Sequence, residues 1–550
     1  MTSSPSSSWQ QTATAKRNAL TASIPPEWHI PSSLLPPTSQ DAILDWSETS
    51  GWLTTSEAVV TRLSASDLVS RLASGSLRSE EVTIAFCKRA AVAHQLVNCL
   101  SETCFDRALA TARDRDRHLD RTGRTVGPLH GLPVSLKDCF DVRGLDGCLG
   151  IVSRVGEAAE NDAAVAEILE AAGAVLFVKT NVSTAMMMPE STNNLIGRTL
   201  NPWNRRTTAG GSSGGEAALV ALRGSPLGVG TDIGGSLRIP AACCAVFTLR
   251  PSSGRFPVRG TRSGLPGQEA VASVNGPMAR NLADLDLYCR AVVGAEPWLR
   301  DPACVPLPWR AVPLPPRLRI AVLWHDGIVR PTPPVARALR ITADRLLAAG
   351  HSVVDWDADH RTGLALLSRM FVADGGGAIR EAIRRSGEPW PAQLQAYELA
   401  AAELGTGAMW RLHTERAEFR NRYLDRWNAA GIDAILCPTL AFVTVRHDRF
   451  RHVGYTGVFN VLDYSCLSLV TPLTVDKAID RPDPSYEALG PACQQIHDDY
   501  DAALLHGMPI SLQLVARRFE EEKLLAMGKL LLEAFAMEGR GASVQEPSNI

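Results

Sequence analysis

An α/β fold, built on one large, mixed but mainly parallel twisted sheet covered by helices, is predicted by three observations. A short apolar run at 132–136, an amphipathic helical pattern at 161–173 and a second apolar run at 174–178 follow one another, the grammar of a βαβ unit. The same order recurs at 318–323, 335–349 and 352–356. No fixed-period repeat is present, and the Pro-rich stretch 299–316 interrupts this grammar without ending it. One domain over 64–537 is expected, with a partly disordered arm at 1–63, an irregular connection at 299–316 and a tail at 538–550.

Taken in order, residues 1–25 are rich in Ser, Thr and Ala and are expected to be loosely ordered. Prolines between 25 and 37 then punctuate an extended arm. Ser66 is the expected cap of a helix over 67–73, stopped by Gly75. A longer helix opens at Ser79, with Val82, Phe86 and Ala90 at helical spacing, and a third follows Cys104. The run 132–136 reads as a buried strand ending on Lys137-Asp138. Asn161-Asp162 is the expected cap of the next helix, which Gly173 stops. Further strands are expected at 431–436 and 506–515, before a final amphipathic helix through Leu524, Met527, Leu531 and Phe535.

Composition narrows the function. Of 550 residues, 56 are Lys or Arg and 58 Asp or Glu, a formal net charge of -2. That balance offers no electrostatic footprint for nucleic acid or an anionic membrane. No apolar run is long enough to span a bilayer, and the N-terminus lacks the basic-then-apolar plan of a signal peptide. The 12 Cys fall in no C-x-x-C or Cys/His ligand spacing, so reduced thiols in a cytoplasmic protein are expected, with no metal site.

The chemistry concentrates in 208–240, TAGGSSGGEAALVALRGSPLGVGTDIGGSLRIP. Two Gly/Ser knots, 210–215 and 230–236, bracket an apolar stretch that reads as helix then strand. The first knot matches the G-x-S-x-G elbow, but the residues before it, 201–206, are polar and Pro-containing where that motif needs a strand. The phosphate-loop pattern G-x-x-x-x-G-K-[ST] is absent. A serine nucleophile needs a base, and a buried lysine supplies one once desolvation depresses its pKa. Lys137, behind the apolar run 132–136, fits that description; a strand-end lysine paired with Asp138 or Asp141 fits the residues equally well. Consecutive amides at Ile233, Gly234, Gly235 and Ser236 suit an oxyanion nest.

The segments GPLHGLPVSLKD (127–138), AGGSSGGEAAL (209–219), GVGTDIGGSLRIPA (228–241) and LRPSSGR (249–255) resemble the amidase signature family, specifically its fungal acetamidase and general amidase branch. The likeness runs from about 64 to 537. It implies the amidase signature fold and a cofactor-free amide hydrolase with a Ser-Ser-Lys triad. Ser236 is the implied nucleophile, Ser212 the proton shuttle after a cis Gly211–Ser212 bond, and Lys137 the base. The amides of Ile233–Ser236 are the implied oxyanion hole, and Met186 stands where the family places a channel methionine. Glu216, Asp232 and Arg238 match common family residues, for which structural ion pairing is expected. The run 245–249 departs from the family pattern, with Ala245 and Thr248 where glycines are common. The expected partner is a small amide, with a homodimer left open. The alternatives are a fatty-acid amide or ester hydrolase, an amidotransferase subunit, and a catalytically silent binding relative.

Overall fold

The computed structural model describes residues 8–536 except 358, 401 and 483–485; the expected tail, 538–550, lies outside the described residues. Eleven strands are described: β1 (Leu100–Thr103), β2 (Pro133–Lys137), β3 (Val175–Thr180), β4 (Leu227–Asp232), β5 (Phe247–Arg250), β6 (Val274–Ala279), β7 (Arg319–Val322), β8 (Ser352–Asp355), β9 (Ala434–Pro438), β10 (Ser465–Thr474) and β11 (Pro509–Ala516). They form one sheet in the order β1-β3-β2-β4-β6-β5-β10-β11-β9-β7-β8.

The sheet is mixed, as expected, but not mainly parallel. β2 runs parallel to both β3 and β4, and β7 to both β8 and β9. The other six of the ten neighbouring pairs are antiparallel. The expectation rested on two βαβ units, and these turned out to be the two flanks. The centre between them, β6, β5, β10 and β11, includes strands whose Gly276, Pro277 and Pro472 read as strand breakers in sequence. Gly276 is required there: a Cβ would collide with the Leu249 carbonyl of β5.

The helices also differ in detail. The arm, expected to be loosely ordered, holds a helix, Ser8–Ala22, that buries Ala13 and Leu20 two turns apart. Lys16 on that helix pairs with Glu102 and, at 2.8 Å, with Asp146. The helix Ala65–Ala73 is capped by Ser64 rather than Ser66, because Ser66 Oγ donates instead to Asp284 at 2.8 Å. The helix Ala164–Ala171 has Ala163 at its cap; the Asp162 carboxylate accepts from the Arg143 N–H at 2.7 Å and is not available to it.

Two apolar clusters cover the sheet. The larger takes Val134, Leu136, Val175, Phe177, Leu227 and Val229 from the β3-β2-β4 flank, together with Ile320, Val322, Ala434 and Leu436 from the other. The second sets Ala321, Ile435 and Cys437 against the rings of Trp356, Tyr423 and Trp427. Residues Gly214 to Val220 of the helix Gly214–Ala221 are all buried, and this helix carries the first Gly/Ser knot against β2, β3 and β4.

Candidate active site

The carboxyl ends of parallel strands are where an α/β sheet offers its side chains to a ligand. Lys137 is the last residue of β2 and is fully buried. Its Nζ donates to Ser212 Oγ at 2.7 Å and to Thr231 Oγ1, near the end of β4, also at 2.7 Å. Burial pushes the Lys137 amine down from its ordinary range to about 8, against the upward pull of Cys139, Asp232, Glu216 and Asp138. A lysine titrating there has a substantial neutral fraction at neutral to mildly alkaline pH and can accept a proton. The ion pair with Asp138 or Asp141 that its sequence position also allowed is not formed. Asp138 accepts from Ser101 and the Leu149 N–H, and Asp141 from Arg262.

Ser212 follows a cis peptide bond with Gly211 and is buried. Ser236 lies in the turn after β4, 9% exposed. Among the described residues its Oγ makes no hydrogen bond to Ser212. The two knots meet instead at Ser213, whose N–H donates to Ser236 O and whose Oγ donates to Thr231 O, both at 3.3 Å.

The turn that carries Ser236 is wound around one carboxylate. Asp232 accepts from the Gly235 N–H at 2.8 Å, the Leu237 N–H at 3.2 Å, Arg238 Nε at 3.1 Å and Asn460 Nδ2 at 2.8 Å. Burial alone would raise this carboxyl, but the Arg238 charge and hydrogen bond outweigh it and hold Asp232 well below the usual range. Arg238 is itself buried and also donates to Asn460 Oδ1 at 2.6 Å. Gly235 has φ +133°, and a Cβ there would collide with Thr456 Oγ1, so only glycine serves. The Asp232 contact corrects one expectation: the Gly235 amide points at a carboxylate and is not free for an oxyanion. Ile233 and Gly234 are half-buried, and a cavity of about 460 Å³ opens beside Thr231 and Ile233, lined also by Phe256, Leu265 and Asn275.

Glu216 corrects another expectation. Among the described residues it forms no ion pair; its carboxylate is fully buried and accepts from Thr180 Oγ1 at 2.7 Å and from Ser135 Oγ. Burial lifts it to about 7, with those two hydroxyls pulling the other way. Met186 sits in the buried turn Thr184–Met186, its side chain in the larger apolar cluster. Two residues on, the Met188 carbonyl abuts Gly211. Sequence reasoning missed Thr231 and Ser191 as neighbours of Lys137 and Ser212. The one signal for Thr231 was its place in a strand ending on the second knot. All twelve cysteines are unpaired thiols.

The Amidase family model matches residues 81–525. This chain belongs to the amidase family. It is 40% identical to an acetamidase of Aspergillus oryzae over 96% of this chain and 99% of that one. An acetamidase of Emericella nidulans is 41% identical over 95% and 98%. Among solved structures, a fatty acid amide hydrolase superposes with a TM-score of 0.91 at 34% identity, covering 96% of this chain and 95% of that one. The chain is an amide hydrolase with the fold of this family. Among the described residues no helix is long and apolar enough to cross a membrane.

Proposed function

We propose that the chain hydrolyses a small carboxylic amide to the acid and ammonia or an amine through an acyl-enzyme on Ser236. Neutral Lys137 takes the proton of Ser212, which takes that of Ser236 as its Oγ attacks the carbonyl carbon. The oxyanion is met by the amides of Ile233, Gly234 and Ser236. Collapse breaks the C–N bond, and the proton returns through Ser212 to the leaving nitrogen. Water then repeats the relay on the ester and frees the acid. Rotation of Ser236 Oγ toward Ser212 is part of the first step. The observation that carries this reading is the buried 2.7 Å contact between Lys137 Nζ and Ser212 Oγ, beside a lysine held near 8.

A fluorophosphonate probe is expected to label the protein stoichiometrically, and Ser236→Ala to abolish labelling. Label still taken up by Ser236→Ala protein would remove Ser236 as nucleophile. The full-length likeness to acetamidases supports short acyl amides as substrates. The likeness to a fatty acid amide hydrolase supports a second reading, an apolar long-chain amide. Rates on acetamide, benzamide and a long-chain primary amide separate the two.

A further inference from the structure

Ser191 is buried outside any helix or strand, on the segment that follows Met188, and it touches the backbone on both sides of Ser212. Its N–H donates to Gly210 O at 2.9 Å. Its Oγ donates to Ser212 O at 3.2 Å and accepts from the Gly214 N–H at 2.9 Å. One side chain thus serves the relay serine and the first amide of the helix Gly214–Ala221, whose own cap residue, Ser213, makes no side-chain capping bond. The fit is close, since a Cβ on Gly214 would lie 2.5 Å from Ser191 Oγ.

The mount behind Ser191 is itself held. The fully buried carboxylate of Glu190 accepts from His447 Nδ1 at 2.9 Å, Arg198 at 3.1 Å, the Asp448 N–H at 2.9 Å and Gln393 at 3.2 Å. On the other side the Thr199 N–H donates to Ser191 O at 2.9 Å. Lys137 meets Ser212 only through its terminal amine, which also donates to Thr231 Oγ1 at 2.7 Å. Where Ser212 Oγ stands relative to Lys137 Nζ is therefore decided by what holds the Ser212 backbone.

We propose that Ser191 is a positioning residue for the amidase relay: it clamps Gly210, Ser212 and Gly214 so that Ser212 Oγ stays within hydrogen-bond reach of Lys137. This rests on the Ser236–Ser212–Lys137 reading above. Displacing a catalytic group by about an ångström costs on the order of a hundredfold.

Ser191→Ala removes both hydroxyl bonds. It is expected to lower kcat per titrated site by about 10- to 100-fold with KM within about twofold. Lys137 Nζ donates this bond, which favours the charged amine, so weakening it lowers the Lys137 pKa and moves the acid limb of kcat/KM to lower pH. Ser191→Cys, similar in size with a weaker donor and acceptor, is expected to fall between Ser191→Ala and the parent. A purely structural role would reduce the titratable fraction and the melting temperature and leave the limb in place; that result overturns the proposal. Should Ser191→Ala fail to fold, Ser191→Cys decides: parental kcat per titrated site and an unmoved limb overturn the proposal, and a lowered kcat with the limb moved to lower pH supports it. Failure of the underlying relay has a different signature, label on Ser236→Ala protein or full activity in Lys137→Ala.

Discussion

The two parallel flanks of the sheet share one architecture and differ in what stands at the strand ends. On one flank, β3, β2 and β4 end in Thr180, Lys137 and Thr231-Asp232, all buried and polar, with Glu216 and Ser212 delivered to them by the first knot and its helix. On the other, β9, β7 and β8 lead to Leu323 and Trp356, packed with Tyr423 and Trp427 in an aromatic core. The polar flank holds a lysine with a lowered pKa and a carboxyl with a raised one, both produced by burial. Strand grammar alone therefore does not make a site. The site arises where a turn brings hydroxyls to desolvated charges, because hydroxyls offset part of the burial cost without neutralising the base.

The comparison is tested most sharply at Lys137. Lys137→Ala is expected to cut kcat/KM by about a thousandfold, measured on a primary amide. In the parent enzyme, activity is expected to fall as pH drops through about 8, because protonation consumes the neutral base. Stability moves in the same direction. Lys137 is bound less tightly by protons folded than unfolded, so its burial destabilises the protein below about pH 8, and that cost fades as pH rises toward the ordinary lysine range. Lys137→Met, inactive, is accordingly expected to gain stability on the order of 1–2 kcal/mol at pH 7, after the loss of two hydrogen bonds, by denaturant unfolding. A Lys137→Met protein no more stable than the parent would mean that the polar flank is not strained by its lysine.

On the apolar flank the effects reverse. Val322 is fully buried at the end of β7, and Val322→Ala is expected to cost about 2 kcal/mol of stability with kcat unchanged. Impaired kcat in that variant would show that the two flanks are coupled. The smallest effect belongs to Ala245, which caps the helix Arg238–Cys244 at φ 54°, a left-handed conformation that favours glycine. Ala245→Gly is expected to stabilise by about 0.5 kcal/mol, the relief of strain exceeding the added chain entropy, read from the same denaturation curves.

Much of the fold was legible because burial on both faces leaves an apolar run and helices leave a period. β2, β3 and β7 were visible for that reason, and β8, a partly buried edge strand, by its place after the helix Pro333–Ala348. β6 and β10 were not, since Gly276 is required by the close approach of Leu249 in β5 and Pro472 sits where the β10–β11 register shifts, both facts of packing. The arm helix hid because a polar 15-residue helix with two buried apolar residues has little amphipathic signal, and its anchor, Lys16, finds its partners only in the folded chain.

By itself, the sequence determined the α/β class, the family and the short set of residues able to do serine chemistry with a lysine base, because Gly/Ser knots of that density have few uses. The tertiary structure decided what each of those residues touches. It brought Thr231 to Lys137, gave Asp232 the Gly235 amide, surrounded Glu216 with hydroxyls rather than a cation, and set Ser191 behind Ser212. Those contacts join residues far apart in the chain or turn on the direction of a single N–H, and neither spacing nor composition encodes such directions.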